Sequence, residues 1–393
     1  MMAYVSEFQR MSPVGLSDLL PGVAHHVGAS SGQIDRLGLP SASRYVIVVV
    51  DGLGWHITRR ALMDAPYIAG IIGDAIDLTV GLPTTTATSL MSVWTGLPAG
   101  GHGVVGYSFA RHDDRRGRTR VVKPLSEDEP IPVGDSLMSR MARDGVTVTW
   151  VMPEDLVTSC FTSLGAGLTR HGGAVDPTRP DTRNDSAATV RLIGRSLGDK
   201  AGRVEAVRQA AARGDRSVVY VYEPSLDHAG HKYGVRSDRW RAALTKVDDF
   251  LDDLRRALSD DVCLVITGDH GMVDPPLDQR VDIDQEPVLR RGVDLIGGEA
   301  RFRHVYTTTP EAVARRWQDR LGDEAWVLSR ADAMAQGWFG RVDPAFEKRI
   351  GDIVVMPVAG QAYLCHEFAG EYSLIGMHGA ATDQERYVPL MID

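Results

Sequence analysis

The sequence predicts a doubly wound α/β protein, with a mostly parallel central sheet flanked by helices and a smaller inserted α+β cap lobe. Three runs carry that expectation: residues 45–50 (YVIVVV), 217–222 (SVVYVY) and 262–267 (VCLVIT), rich in β-branched residues and apolar on both faces. A strand with two apolar faces is buried from both sides, as in the middle of a parallel sheet. Each run then passes into polar residues: Asp51-Gly52-Leu53-Gly54, Glu223 through Asp227 to His231, and Gly268-Asp269-His270-Gly271. Open α/β sheets bind ligands outside the carboxyl ends of their strands, so the recurrence places chemistry there.

At 393 residues the chain is long enough for a large core with an insertion. A net charge of -9 excludes a general nucleic-acid binder, because phosphate backbones are held by an excess of Lys and Arg. Three scattered cysteines, Cys160, Cys263 and Cys365, exclude a disulfide framework and a cysteine-based metal site. The absence of a basic leader and of eighteen uninterrupted apolar residues predicts a cytoplasmic protein without a membrane partner.

Taken in order, residues 1–43 mix Pro, Gly and Ser with short apolar pieces and are expected to form an arm on the core. Strand 45–50 leads through Asp51 to a helix over 55–63, and residues 76–82 form a short strand-like run. Residues 81–106, GLPTTTATSLMSVWTGLPAGGHGVVG, then present Thr84, Thr85, Thr86, Thr88 and Ser89 where a helix should begin. Hydroxyls there stand beside unpaired N–H groups and the positive end of the dipole, which suits simple capping or an anion such as phosphate. Residues 112–132 read as the charged centre of a surface excursion spanning about 111–134. A helix over 135–143, a strand over 146–151, a loop over 176–185 and helical spacing over 187–212 follow. An amphipathic helix over 240–258 carries Asp248, Asp249, Asp252 and Asp253 on a solvated side. Beyond residue 273 apolar runs shorten, and strand candidates at 303–308, 325–328 and 352–357 alternate with a helix over 310–321. The chain returns through Gly376-Met377-His378-Gly379 to a last strand over 387–392. The expected organisation is therefore an α/β core over 1–272, a cap lobe over 273–370 and a return to the core over 371–393.

Asp51, Asp227, His231, Asp269, His270 and His378 give three carboxylates and three imidazoles, offered by strand ends and Gly-flanked loops. That donor set suits zinc, and manganese less well. Six side chains exceed one tetrahedral ion, whereas two ions sharing them could clamp the attacking and leaving oxygens of a displacement at phosphorus. Such ions would leave the pocket cationic overall and draw the threonine-rich segment into the site, although spacing alone does not choose among the threonines.

Five motifs in order resemble the alkaline phosphatase superfamily, most closely its nucleotide pyrophosphatase/phosphodiesterase branch. They are VVVDGLG (48–54), the threonine stretch closing in Thr95-Gly96-Leu97 and His102-Gly103, D-x-x-G-H-x-x-G (227–234), GDHGM (268–272) and Met377-His378-Gly379. The resemblance implies two zinc ions, one on Asp227, His231 and His378, the other on Asp51, Asp269 and His270 with the nucleophile. It selects Thr86, nine residues before the Thr of the TGL segment, as that nucleophile and implies a phosphothreonine intermediate that water hydrolyses. The implied partner is a small phosphorylated substrate carrying a phosphodiester or pyrophosphate bond. Two positions depart from the branch. Ser89 stands where an Asn contacts a phosphate oxygen, and Ala87 stands where an aromatic ring stacks on a base, leaving Tyr222 as one face of a base sandwich. The alternatives are a phosphomonoesterase or phosphonate hydrolase on the same site, or a metal-stabilised binding module. His102 is expected to shape the loop after the threonine helix, His228 to stand behind the ligands or at the surface, and His25, His26, His56, His112, His171, His304 and His366 to take surface or packing roles.

Overall fold

The computed structural model describes residues 14–113, 118–127, 131, 133–168 and 189–393. The loop expected over 176–185, His171, the first thirteen residues of the arm and part of the excursion lie outside them.

Seven strands build the central sheet: β1 (Arg44–Val50), β2 (Ile76–Thr79), β3 (Thr147–Pro153), β4 (Arg191–Arg195), β5 (Ser217–Glu223), β6 (Val262–Gly268) and β7 (Tyr387–Ile392). Their order is β2-β7-β6-β1-β5-β3-β4, and every neighbouring pair is parallel except those made by β7. The three apolar runs are thus the central, adjacent strands β5, β1 and β6, and every residue of β5 and β6 is buried. Alternate side chains feed two cores, Ile47, Val49 and Tyr220 on one face and Val46, Val48 and Leu264 on the other.

The helix expected over 55–63 is shorter, Trp55–Arg59, and elsewhere the sequence reading and the structure differ in kind. Among the described residues of 187–212, Lys200–Ala211 is the helical part, and Arg191–Arg195 is the edge strand β4. Its residues are exposed or half-buried, which is how an edge strand tolerates arginine at both ends and loses its apolar signature. In the helix Asp238–Ala257, Asp248 is buried rather than solvated. Its carboxylate accepts N–H bonds from Tyr67 (3.1 Å) and Ile68 (2.8 Å), at the start of the helix Pro66–Ile71.

The cap lobe holds a second, antiparallel sheet, ordered Leu295–Glu299, Phe302–Tyr306, Ile353–Pro357 and Ala325–Ser329. The helix Pro310–Leu321 packs on it through Val313 and Trp317, whose indole N–H donates to the Leu289 carbonyl. A hairpin of Phe109–Asp113 and Arg118–Val122 occupies part of the predicted excursion. Among the described residues no helix is long and apolar enough to cross a membrane.

Candidate active site

Central strands that end side by side bring their following residues together. β1 delivers Asp51, whose N–H donates to the Glu223 carbonyl at the end of β5. Gly52 follows with φ of 77°, and a side chain there would come within 3.1 Å of the Asp227 Cα, so this turn needs glycine. Its N–H donates to Asp269 Oδ1 (3.0 Å), just past β6. The helix Ser225–Tyr233 carries Asp227 and His231 one turn apart on one face. His378 arrives on the return segment, which is bridged to the threonine loop by Thr84 N–H to the Gly379 carbonyl.

The helix Thr86–Thr95 begins at the predicted place, but Thr84 and Thr85 do not cap it. The Thr84 hydroxyl donates to the Ala380 carbonyl (2.8 Å) and Thr85 Oγ1 to Glu299 Oε2 (3.2 Å), tying the helix start to the return segment and to the cap sheet. The first N–H groups of the helix therefore stay without a side-chain cap, beside Thr86.

The six residues expected as metal ligands lie in one linked cluster, and two of them, Asp51 and His270, reach Thr86. Its Oγ1 lies 3.1 Å from His270 Nε2 and 3.5 Å from both Asp51 oxygens. His270 Nε2 is 3.3 Å from Asp51 and 3.7 Å from Asp269. His231 Nε2 is 3.4 Å from Asp227 and 3.2 Å from His378 Nε2, which itself is 3.8 Å from Asp227. The His270 and His378 rings stack at 3.8 Å, so the two halves of the centre share a wall.

The hydrogen bonds define the histidine tautomers. His231 Nδ1 donates to the Gly376 carbonyl, His270 Nδ1 to the Gly271 carbonyl and His378 Nδ1 to the Thr84 carbonyl. Every Nε2 therefore presents a lone pair inward, and two of them face each other at 3.2 Å with no proton between. Burial and the imidazoles of His270 and His231 hold the His378 pKa well below its ordinary value, keeping it neutral. Burial raises Asp51 well above the carboxylate range, with the carboxylates of Asp269 and Asp227 adding to the rise. Asp269 is raised by the same burial, against the opposing pull of His270. Asp227 Oδ1 and Asp269 Oδ2 are buried with no hydrogen-bond partner. Neutral imidazoles aimed at one another, crowded carboxylates and orphaned oxygens fit divalent cations, which would pair every one of these atoms.

The substrate-binding expectations fare differently in geometry. Tyr222 lines the cavity with its ring, but its hydroxyl donates to Asp51 Oδ2, which the apolar strand SVVYVY gave no means to foresee. Ser89 does not reach the cavity. It lies one turn inside the helix, its Oγ is buried and unpartnered, and Ala87 is likewise buried. The aromatic walls instead come from Trp94, Tyr107, Phe161 and Phe368, around a space of about 700 Å3. Glu299 also enters this cavity, with Oε2 3.5 Å from His378 Nδ1. Its strand, LIGGE, escaped the sequence reading because paired glycines interrupt its apolar pattern.

Fold and site define an α/β protein with a buried carboxylate and imidazole centre beside a threonine at a helix N-terminus. The profile of the type I phosphodiesterase / nucleotide pyrophosphatase family matches residues 45–381, and the chain belongs to that family. It is 26% identical over 240 residues to ectonucleotide pyrophosphatase/phosphodiesterase family member 7 of Mus musculus, covering 58% of this chain and only 50% of that protein. The chain is similar in fold to murine ectonucleotide pyrophosphatase / phosphodiesterase 5 (TM-score 0.65, 17% identity, 88% of this chain and 87% of that one). It is equally similar to the phosphonoacetate hydrolase of Sinorhizobium meliloti 1021 (TM-score 0.65, 17% identity, 93% and 92%). These structural likenesses place the chain within the alkaline phosphatase type of fold.

Proposed function

We propose that this protein is a metal-dependent hydrolase that cleaves a phosphodiester or pyrophosphate bond in a small phosphorylated substrate, with Thr86 as the nucleophile. The observation that supports this reading is a linked cluster of three imidazoles and three carboxylates, in which His270 Nε2 and Asp51 reach the Thr86 hydroxyl. Asp227, His231 and His378 would hold one divalent ion, and Asp51, Asp269 and His270 with Thr86 the other. Zinc suits this donor set, with manganese second. When bound, two such ions supply positive charge for anionic oxygen at the nucleophile and at phosphorus.

The chain's own groups supply position. The His270 and Asp51 contacts position the Thr86 oxygen in the wall of the cavity. The uncapped N–H groups of its helix suit phosphoryl oxygens, whose charge grows as Thr86 Oγ1 bonds to phosphorus and the bond to the leaving oxygen breaks. Water then cleaves the phosphothreonine and restores the hydroxyl.

The test is Thr86→Ala, assayed on bis-p-nitrophenyl phosphate with bound metal measured in the same samples. Loss of several orders of magnitude in rate with metal retained is expected. Full hydrolysis by a metal-loaded variant would exclude Thr86. Chelation should abolish the wild-type activity and zinc restore it.

A further inference from the structure

The helix that carries Thr86 does not use the cap that its own sequence supplies. Its first backbone bond runs from the Ser89 N–H to the Thr85 carbonyl (2.9 Å), so the N–H groups of Thr86, Ala87 and Thr88 come before the helical ladder begins. Thr85 stands at the capping position, where a hydroxyl ordinarily accepts the N–H two or three residues on, here that of Ala87 or Thr88. It accepts neither. Thr85 Oγ1 donates instead to Glu299 Oε2 (3.2 Å), on a cap-lobe residue 214 positions away. We propose that Glu299 is a positioning residue: it holds the Thr85 hydroxyl off the helix start and so leaves the N–H groups of Ala87 and Thr88 open to the phosphoryl oxygens of the substrate. The inference rests on the reading of Thr86 as the nucleophile and gives a role to a residue outside the five sequence motifs.

Three observations carry it. First, the fold makes room for Glu299 at this point. It ends the strand Leu295–Glu299, is buried and lines the Thr86 cavity. Gly379 of the Met377-His378-Gly379 motif has φ of 128°, and a side chain there would come within 3.0 Å of Glu299 Cγ and Cδ. Second, the carboxyl group has nothing to exchange for the Thr85 hydroxyl. Its Oε1 is buried without a partner, and His378 Nδ1, 3.5 Å from Oε2, gives its proton to the Thr84 carbonyl (2.9 Å). Turning the Thr85 hydroxyl onto the helix would leave both oxygens buried and unpaired, which is costly. Third, the neighbouring hydroxyl is also withheld from the helix, because Thr84 Oγ1 donates to the Ala380 carbonyl (2.8 Å). The helix start beside Thr86 therefore keeps donors that an anion can take.

Binding of inorganic phosphate to the zinc-loaded protein, measured by calorimetry, tests this role without turnover, with zinc content determined in the same samples. Glu299→Met removes the acceptor and frees the Thr85 hydroxyl to cap the helix. Phosphate affinity should fall by about ten- to a hundredfold with zinc retained, the range of one or two contacts to an anion. In a Thr85→Val background, which has no hydroxyl to cap with, the same Glu299→Met change should alter affinity by less than about threefold, a rescue that a merely structural role of Glu299 does not give. Glu299→Gln keeps an accepting oxygen and should hold most of the affinity. Thr85→Asn tests the same point with Glu299 in place, since Asn is a strong capping residue, and should weaken phosphate as Glu299→Met does. Equal loss from Glu299→Met in both backgrounds, or no loss in either, overturns the proposal; if Glu299→Met does not fold, full affinity in Thr85→Asn overturns it. A protein that shows this dependence yet leaves bis-p-nitrophenyl phosphate intact overturns the hydrolase reading and leaves the role of Glu299 standing.

Discussion

At the scale of single residues, the candidate centre depends on hydrogen-bond partners that are not themselves ligands. Three backbone carbonyls take the Nδ1 protons of His231, His270 and His378, and the Tyr222 hydroxyl occupies one oxygen of Asp51. Groups that orient metal ligands typically change metal affinity by roughly 10–100-fold when removed. Tyr222→Phe keeps the buried ring and deletes only the donor, so zinc affinity measured by competition with a chelator should fall by about that factor while the folded structure persists. Unchanged affinity would show that Asp51 needs no second partner. The six candidate ligands were legible in the sequence because buried strands deliver their next residue to a fixed place. The bond from Tyr222 to Asp51 and the approach of Glu299 to His378 were not, because each joins residues remote in sequence.

At the scale of elements, the same contrast holds. The strands β1, β5 and β6 declared themselves by unbroken apolar runs, and the helix Pro310–Leu321 by its spacing. The edge strand β4 and the buried Asp248 of the helix Asp238–Ala257 did not, since their character depends on what lies opposite. Asp248 falls four residues after Leu244 and three before Leu251, on the buried stripe of its helix. Such a carboxylate survives there because it binds the Tyr67 and Ile68 N–H groups and so anchors the helix Pro66–Ile71. Asp248→Ala should destabilise the protein by about 1–3 kcal/mol, since it leaves two N–H groups at a packed helix start without acceptors. Denaturant midpoints of wild type and variant check this. A difference near zero would mean that water replaces the carboxylate without cost.

At the scale of the whole molecule, core and cap meet on the loop that follows the threonine helix, and two buried histidines, His102 and His304, bond to that loop. His102 donates Nε2–H to Ser92 Oγ (3.0 Å) and accepts the Val104 N–H at Nδ1 (3.1 Å), which makes it the loop former that the sequence predicts. His304, on the cap strand Phe302–Tyr306, donates to the Val105 carbonyl (2.9 Å) and accepts the Gly351 N–H (3.2 Å). Burial pushes His102 down to about 3 and His304 down to about 4. Both folded values lie below the unfolded value near 6.5, so between about pH 4 and 6.5 the unfolded chain binds protons that the folded one refuses. The contribution is complete above that window and is lost as pH falls through it, at about 1.4 kcal/mol per pH unit for each histidine. His304→Phe removes one titrating group together with its two hydrogen bonds. The variant should be less stable than wild type at pH 7, yet its stability should fall less steeply between pH 6 and 4.5, by about that amount per unit. Denaturant unfolding of the metal-free proteins across the range measures the two slopes. Parallel slopes would mean that His304 takes up its proton without leaving the loop, and that the cap is joined to the core by other contacts.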